Sequence, residues 1–271
     1  MAGARPTRGR RFLRRALGGA LALCLTASVI GTAGADEPAE RDFRLWYERA
    51  ISNSGSASDA LAGDAPLRMY KWFSPLKVAA HLDDERTEHG PALRAYVRDY
   101  LKRITEATCI TAGLTTEESA VAPNVLIILG DSVPESAARY RDAITALWED
   151  DGQEADRFVA DPGSAEMNCL FTFRPREKGG DEIATALIFA PVAEDIFATQ
   201  KCLGTMLFRI MGMLGRPDSE SVLNRADAVI LPTKDDARAL RIHYINQIQN
   251  GDSPSHVMTV IGKAQQQGVL P

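Results

Sequence analysis

A short, uninterrupted apolar run near the middle of the chain constrains the fold more than any other feature. The run, Val-Leu-Ile-Ile-Leu at residues 125–129, lies between Pro123 and Gly130. A strand with one wet face alternates apolar and polar side chains, whereas a strand buried on both faces is continuously apolar. The run therefore predicts a central strand covered on both faces, and the rest of the chain must supply the covering elements.

Amphipathic helices are predicted on both sides of this strand along the chain. Behind Pro91, which suits a first helical turn, apolar side chains recur at three- and four-residue steps, as on a helix buried along one face. They are Leu93, Tyr96, Val97, Tyr100, Leu101 and Ile104. A second helix is predicted over residues 134–148 and a third over residues 197–214, where the Gly-Arg-Pro of residues 215–217 stops it.

The C-terminal third is predicted to be helical. Thr233, with Asp236 three residues later, resembles a capping box at the start of a helix. That helix is expected to reach Asn250, because the following Gly251 favours a left-handed stop. A last short helix begins at Pro254.

Strands complete the predicted fold. Residues 67–82 predict an opening strand pair, or an edge strand interrupted at Pro75. Residues 169–173 and 185–190 predict two further strands joined by a charged hairpin loop. Together the elements predict an α+β domain with a small mixed sheet of about four strands, packed helices and a helical C-terminal third.

The first 35 residues have the organisation of a secretory signal peptide. Six arginines and no acidic residue precede an apolar stretch over residues 16–30, and Ala33-Gly34-Ala35 forms a small-x-small cleavage site. We expect cleavage after Ala35, with an uncleaved anchor as the alternative and the export route left open. The expected organisation is a signal peptide over 1–35, an N-terminal helix and flexible linker over 36–66, and a single α+β domain over 67–271.

The charge balance restricts the partners. Without the six arginines of the signal peptide, 25 basic residues stand against 36 acidic ones, a net charge of −11. This acidity argues against nucleic acid and anionic lipid as partners, and no insertion into the membrane is expected after cleavage. We therefore expect a periplasmic or secreted protein whose partner is a protein or peptide of the cell envelope.

Three cysteines remain after the expected cleavage, in a compartment that favours disulfides. We expect Cys169 to pair with Cys202, since one flanks a strand and the other lies on a following helix. Cys109, on an apolar segment, is expected to be a buried thiol. The alternative is a reactive thiolate at Cys202, for which the adjacent Lys201 is the only basic neighbour in sequence.

A series of short motifs is spaced along the predicted domain. They are Trp72, Pro75, Asn124, Cys202-Leu203, Gly212, Asp218-Ser219, Ser221-Val222-Leu223-Asn224, Leu231, Thr233 and His243-Tyr244. Together they resemble an uncharacterised exported bacterial family known only as domain of unknown function number 2927. The resemblance implies no known activity.

Members of that family carry acidic residues and a glutamine on the helix that begins with the cysteine. The spacing of these residues is similar to that on the active helix of zinc metallopeptidases. There the HExxH motif places two imidazoles on the metal and a glutamate beside it as general base. The corresponding positions here are Thr205, Met206 and Arg209. None of these side chains serves as a zinc ligand or general base, and the guanidinium would repel a dication. We therefore expect a degenerate zincin-like helix with no catalytic residue and no cofactor.

A metal site elsewhere is the alternative. His81 and His89 bracket an acidic segment that contains Asp83 and Asp84, so these four side chains could hold a metal ion. A charged connection between a strand and a helix is more often simply solvated. His243 is expected to be a hydrogen-bonded structural residue.

Other enzyme classes lack their motifs. The sequence contains no nucleophile elbow, no P-loop and no dinucleotide fingerprint. The first hypothesis is a non-catalytic exported protein that binds a protein or peptide on a degenerate zincin-like scaffold. The alternatives are a periplasmic metal-dependent hydrolase or peptidase with a non-standard site, and a redox protein that uses Cys202.

Overall fold

The computed structural model describes much of the chain beyond the predicted signal peptide. The described residues are 37–51, 68–82, 88–115, 122–130, 132–149, 152, 153, 155, 156, 169–177, 180–193, 195–215, 221–223 and 229–267. The chain divides into two compact units, residues 1–34 and 35–271, and all of the described residues belong to the second. The predicted signal peptide and the linker segment 52–64 lie outside the described residues.

A five-stranded mixed sheet forms the centre of the described part of the chain. Its strands in chain order are β1 (Leu76–Leu82), β2 (Ala112–Leu114), β3 (Val125–Gly130), β4 (Leu170–Pro175) and β5 (Ile183–Pro191). Their order across the sheet is β2-β1-β3-β5-β4. The first four of these are parallel, and β4 pairs antiparallel with β5. The expected mixed sheet is confirmed, with one short strand more than predicted.

Seven helices accompany the sheet within the described residues. They are α1 (Glu37–Ile51), α2 (Gly90–Thr108), α3 (Val133–Arg139), α4 (Arg141–Trp148), α5 (Ile196–Arg209), α6 (Lys234–His243) and α7 (Pro254–Gln266). The last three follow the final strand, so the C-terminal third is helical as predicted. None of the described helices is long and apolar enough to cross a membrane.

The central strand β3 is buried along its whole length, as the apolar run predicts. Alternate side chains of β3 and β5 enter two separate cores. On one face, Leu126 and Ile128 pack with the aromatic and aliphatic side chains of α3 and α4. On the other face, Val125 and Ile127 pack with α2, α5 and the C-terminal helices. The sheet is therefore the middle of three layers.

Several element boundaries differ from the predicted ones. The opening segment forms a single strand, which begins directly after Pro75 and lies between β2 and β3 rather than at an edge. Before the proline, Lys71 makes only an isolated bridge to Glu182 among the described residues. The helix predicted over 134–148 is two helices, which meet at Tyr140.

A disulfide joins Cys169, just before β4, to Cys202 on α5, with their Cα atoms 5.9 Å apart. This is the expected pair. It closes a loop between residues 33 positions apart, and a bridge of this kind typically stabilises a fold by about 2–4 kcal/mol. The expectation of a buried Cys109 is wrong. Cys109 is the exposed C-cap of α2, where a left-handed backbone with φ of 59° turns the chain away from the helix.

Candidate functional site

Helix α5 carries Thr205, Met206 and Arg209, the three positions that the family resemblance compares with the ligands and base of a zinc metallopeptidase. The corner between β5 and α5 is fixed by two side chains. The carboxylate of Asp195 accepts the Phe197 N–H at 3.0 Å, and Thr199 Oγ1 donates to the Pro191 carbonyl at 3.0 Å. These bonds cap the helix and seat its first turn against the end of the sheet.

All three of these positions are buried and in contact with the surrounding core. Thr205 Oγ1 lies 2.8 Å from the Val222 carbonyl oxygen, to which it donates, and Met206 is 1% exposed. Arg209 is 3% exposed, and its Nη1 donates to the Leu214 carbonyl at 3.4 Å. Zinc in proteins is bound by imidazole, thiolate and carboxylate. A hydroxyl committed to a carbonyl, a thioether and a guanidinium therefore provide no such set.

Close packing against α2 leaves little space on this part of α5. Tyr100 Oη donates to the Gly204 carbonyl at 2.7 Å, and Tyr96 Oη donates to the Ile230 carbonyl. A Cβ atom on Gly204 would lie 2.5 Å from Tyr96 Oη and 2.6 Å from the Ile230 oxygen. Only glycine fits at this position, and the backbone of α5 is held directly against its neighbours.

Asp236 anchors the segments that cover α5. It is the capping-box residue of α6 predicted from the sequence, and its side chain is completely buried. Its carboxylate accepts hydrogen bonds from Ser221 Oγ at 2.5 Å, from the Val222 N–H at 3.0 Å, and from both the N–H and hydroxyl of Thr233. Burial raises the pKa of Asp236, while these four donors oppose the rise.

A second buried polar cluster lies where the segment before β1 meets the end of α6. The buried Lys71 donates its ammonium protons to the Ile248 carbonyl and, at 3.3 Å, to the Ile245 carbonyl. Burial lowers the pKa of Lys71 to about 8. Tyr244 Oη donates a hydrogen bond to the Met211 carbonyl at 3.2 Å. It also accepts one from the backbone N–H of Trp72 at 3.4 Å. The cluster joins three distant segments of the chain.

His243, in the same cluster, is fully buried and hydrogen-bonded, as expected for a structural histidine. Its Nε2 lies 3.0 Å from the Tyr70 carbonyl oxygen, which only accepts, so Nε2 carries the proton of the neutral ring. Nδ1 then accepts from Tyr47 Oη at 3.4 Å. Burial, followed by the charge of Lys71, lowers the pKa of His243 to about 3.

Because the pKa of His243 is lowered, we expect the fold to lose stability in acid. Between pH 6.5 and about 3 the unfolded chain binds a proton at His243 that the folded chain does not, so the free energy of unfolding falls as the pH is lowered through that window. Asp236, whose pKa is raised, works in the opposite direction. We therefore expect urea unfolding of wild type and His243→Gln to show a steeper pH dependence for wild type. Parallel curves would contradict the assignment.

The alternative metal ligands are only partly within the described residues. His81 lies on β1 with its ring 5.3 Å from that of Tyr140, and His89 is the N-cap of α2, 3.8 Å from Glu88. Asp83 and Asp84 lie outside the described residues. Among the residues that are described, no group of three or more His, Cys, Asp and Glu side chains could hold a metal ion.

Cys202, the candidate redox residue, is 7% exposed and its sulfur is bonded to that of Cys169. In this state it is neither a thiolate nucleophile nor a metal ligand, because both roles require the deprotonated free thiol. Cys202 therefore links the middle of α5 to the residue just before strand β4.

Comparison with known protein families, curated proteins and solved structures finds no match to this chain. The site is therefore understood from its geometry alone. The sequence gives no signal for the burial of Lys71, because lysine is mostly exposed in proteins. The burial of Asp236 was missed because exposed first-turn acids are the commoner case.

Proposed function

We propose that this protein is a divergent member of the family called domain of unknown function number 2927, exported to the periplasm or beyond. On this proposal it has no catalytic activity and binds a protein or peptide of the cell envelope on a scaffold that resembles a zincin. The disulfide between Cys169 and Cys202 supports export, because such bonds persist in oxidising compartments.

The observation that carries the proposal is the burial of three side chains on α5. The family resemblance assigns Thr205, Met206 and Arg209 to the metal-ligand and base positions of a zincin helix, and each of the three is buried. The guanidinium carbon of Arg209 also lies 5.8 Å from the centre of the Phe171 ring. A cation packed beside an aromatic ring contributes to the fold, whereas the same cation beside zinc would oppose metal binding.

An exported scaffold without catalytic residues would act by binding. Large apolar side chains are exposed on its surface, including Phe73 at 65%. Aromatic residues are enriched among the positions that dominate protein interfaces. Phe73 follows Trp72, whose Nε1 donates to the Ile210 carbonyl at 2.7 Å, so the backbone that presents Phe73 is anchored.

The test is to replace Arg209 by alanine and to measure stability, zinc content and peptide hydrolysis together. We expect Arg209→Ala to lower the free energy of unfolding by about 2–4 kcal/mol, because it removes a packed buried side chain and its hydrogen bond. The exposed Arg94→Ala, on α2, is the matched control and should change stability by no more than about 0.5 kcal/mol.

Protein purified without chelators should contain far less than one zinc per chain, and neither wild type nor Arg209→Ala should cleave a peptide library. One tightly bound zinc per chain, with chelator-sensitive cleavage, would overturn the proposal. Loss of that cleavage on replacing His81 and His89 would then assign the site to those residues.

A further inference from the structure

Helix α1 is joined to the rest of the domain by a segment with the composition of a linker. The sixteen residues 52–67 are dominated by Ser, Ala, Gly and Asp, the composition of a linker. The buried side chains of α1 follow the pattern i, i+3, i+4, i+7, i+8 of a helix laid into a groove. They are Phe43, Trp46, Tyr47, Ala50 and Ile51.

The surface that receives this face is here called the α1 seat. It is defined by Gly215, Arg238, His243, Met258 and Gly262, which lie after α5 and on helices α6 and α7. The seat therefore belongs entirely to the C-terminal part of the domain, and only the linker connects it covalently to its occupant on the N-terminal side.

Two aromatic side chains of α1 are recognised individually by the seat. The guanidinium carbon of Arg238 lies 4.1 Å from the centre of the Phe43 ring, a cation–π distance. The hydroxyl of Tyr47 lies 3.4 Å from His243 Nδ1, to which it donates. An occupant with aromatic residues at these two positions, four residues apart, satisfies both contacts.

Two backbone groups give the seat its polar contacts. The Met258 carbonyl accepts a hydrogen bond from Arg44 Nη2 at 3.2 Å, and the Gly215 N–H donates to the Ala50 carbonyl at 2.8 Å. The first of these contacts is made by a long side chain with a hydrogen-bond donor, here an arginine, directly after the leading aromatic residue. The second accepts any helical backbone that ends its buried face at this point.

The indole N–H of Trp46 is buried without a hydrogen-bond partner among the described residues. Trp46 is 6% exposed and packs on Phe43, with ring centres 5.7 Å apart. Its Nε1 is buried, and within the described part of the chain no acceptor lies within hydrogen-bonding distance. A buried donor without a partner weakens the association that buries it. An aromatic ring without an N–H at this position would avoid that cost.

We infer that the α1 seat is a helix-docking site, and that α1 is a tethered occupant which a partner helix displaces. The partner is an amphipathic helix with aromatic residues at the positions of Phe43 and Tyr47, a basic residue at Arg44, and an apolar residue without a polar hydrogen at Trp46. This inference rests on the proposed binding function and adds the α1 seat to the exposed Phe73 as a surface for binding, with the partner chemistry that the seat requires.

The experiment uses the full chain with a protease recognition sequence placed within residues 52–67. A fluorescent peptide of residues 37–51 is added before and after cleavage, and binding is followed by anisotropy. We expect the cleaved protein to bind the peptide at least about tenfold more tightly than the intact protein, because the tether holds α1 at a millimolar effective concentration. Trp46→Phe in the peptide should tighten binding by about fivefold, the effect of removing one unsatisfied buried donor.

Two further peptides control for specificity. Tyr47→Ala should abolish detectable binding, whereas Leu45→Ala, at a position 47% exposed, should bind like the native peptide. A cleaved protein that loses its folded circular dichroism, or that takes up no peptide, would overturn the inference by showing that α1 is a fixed part of the core. Peptide exchange in a protein that also proves to be a zinc peptidase would overturn the proposed function and leave the docking site standing.

Discussion

Replacing Gly212 by alanine is expected to destabilise the fold by about 4 kcal/mol, combining backbone strain with overpacking. Gly212 follows the end of α5 with φ of +90°, a conformation that side-chain-bearing residues rarely adopt. A Cβ atom there would lie 2.8 Å from His243 Nε2 and closer still to the Tyr70 carbonyl oxygen. Those two atoms are hydrogen-bonded to each other, so neither can move without breaking a buried contact.

The measurement is urea unfolding of Gly212→Ala beside Gly113→Ala. Gly113 is the exposed central residue of strand β2, and no atom lies within 4 Å of the position of its Cβ. The control should therefore change stability by no more than about 0.5 kcal/mol. Equal unfolding midpoints for the two variants would show that the turn after α5 is more adaptable than its contacts indicate.

Asp236→Ala is expected to cost about 3–5 kcal/mol. The carboxylate accepts four hydrogen bonds from Ser221, Val222 and Thr233, and all of these donors lose their acceptor together when it is removed. The loss includes the capping box, so the first turn of α6 and the loop over α5 should loosen at the same time. Hydrogen exchange should report faster opening of both segments.

The neighbouring Asp235→Ala is the matched control. Asp235 lies in the same first turn but is exposed, so its removal loses only the interaction with the helix dipole, about 0.3–1 kcal/mol. If the two variants unfold at the same urea concentration, the carboxylate of Asp236 does not organise the cover of α5.

The elements with a strong local signal were predictable. The uninterrupted apolar run of β3 predicted a strand buried on both faces, and the periodic apolar side chains behind Pro91 predicted α2. In both cases burial alone decides the structure, and burial is written directly in the pattern of apolar residues. The antiparallel pair β4 and β5 was predictable for a related reason, because its two apolar runs flank a charged loop with glycine and proline.

The ends of the last helices were not predictable from the same signal. Apolar side chains continue to Leu214, so the pattern extends α5 past Arg209, its observed end, although Gly212 already turns the chain. The pattern of α6 likewise continues to Ile248, although that helix ends at His243. A turn whose side chains are buried can continue the apolar spacing of the helix before it, so the sequence does not show where the helix ends. Strand β2, with three residues and a central Gly113, is too short to give a pattern at all.

The candidate site shows a similar division. That Thr205, Met206 and Arg209 provide no zinc ligand followed from residue type alone, because the chemistry of zinc ligands is known. The buried clusters around Lys71, His243 and Asp236 did not follow, because, apart from Thr233 beside Asp236, their hydrogen-bond partners lie between 14 and 196 positions away along the chain. Long-range hydrogen bonds to backbone carbonyls leave no local signature, since every residue offers the same carbonyl.

The position of the α1 seat has a consequence for the order of folding during synthesis. The contact between Arg44 and Met258 joins residues 214 positions apart, and that between Tyr47 and His243 joins residues 196 apart. At about 5–20 residues per second, α1 emerges from the ribosome roughly 10–40 seconds before its seat is complete. Throughout that time the face of Phe43, Trp46 and Tyr47 has no site to cover it. Of the described elements, helix α1 is thus the first to be made and among the last to dock, and its aromatic face stays exposed on the nascent chain until then.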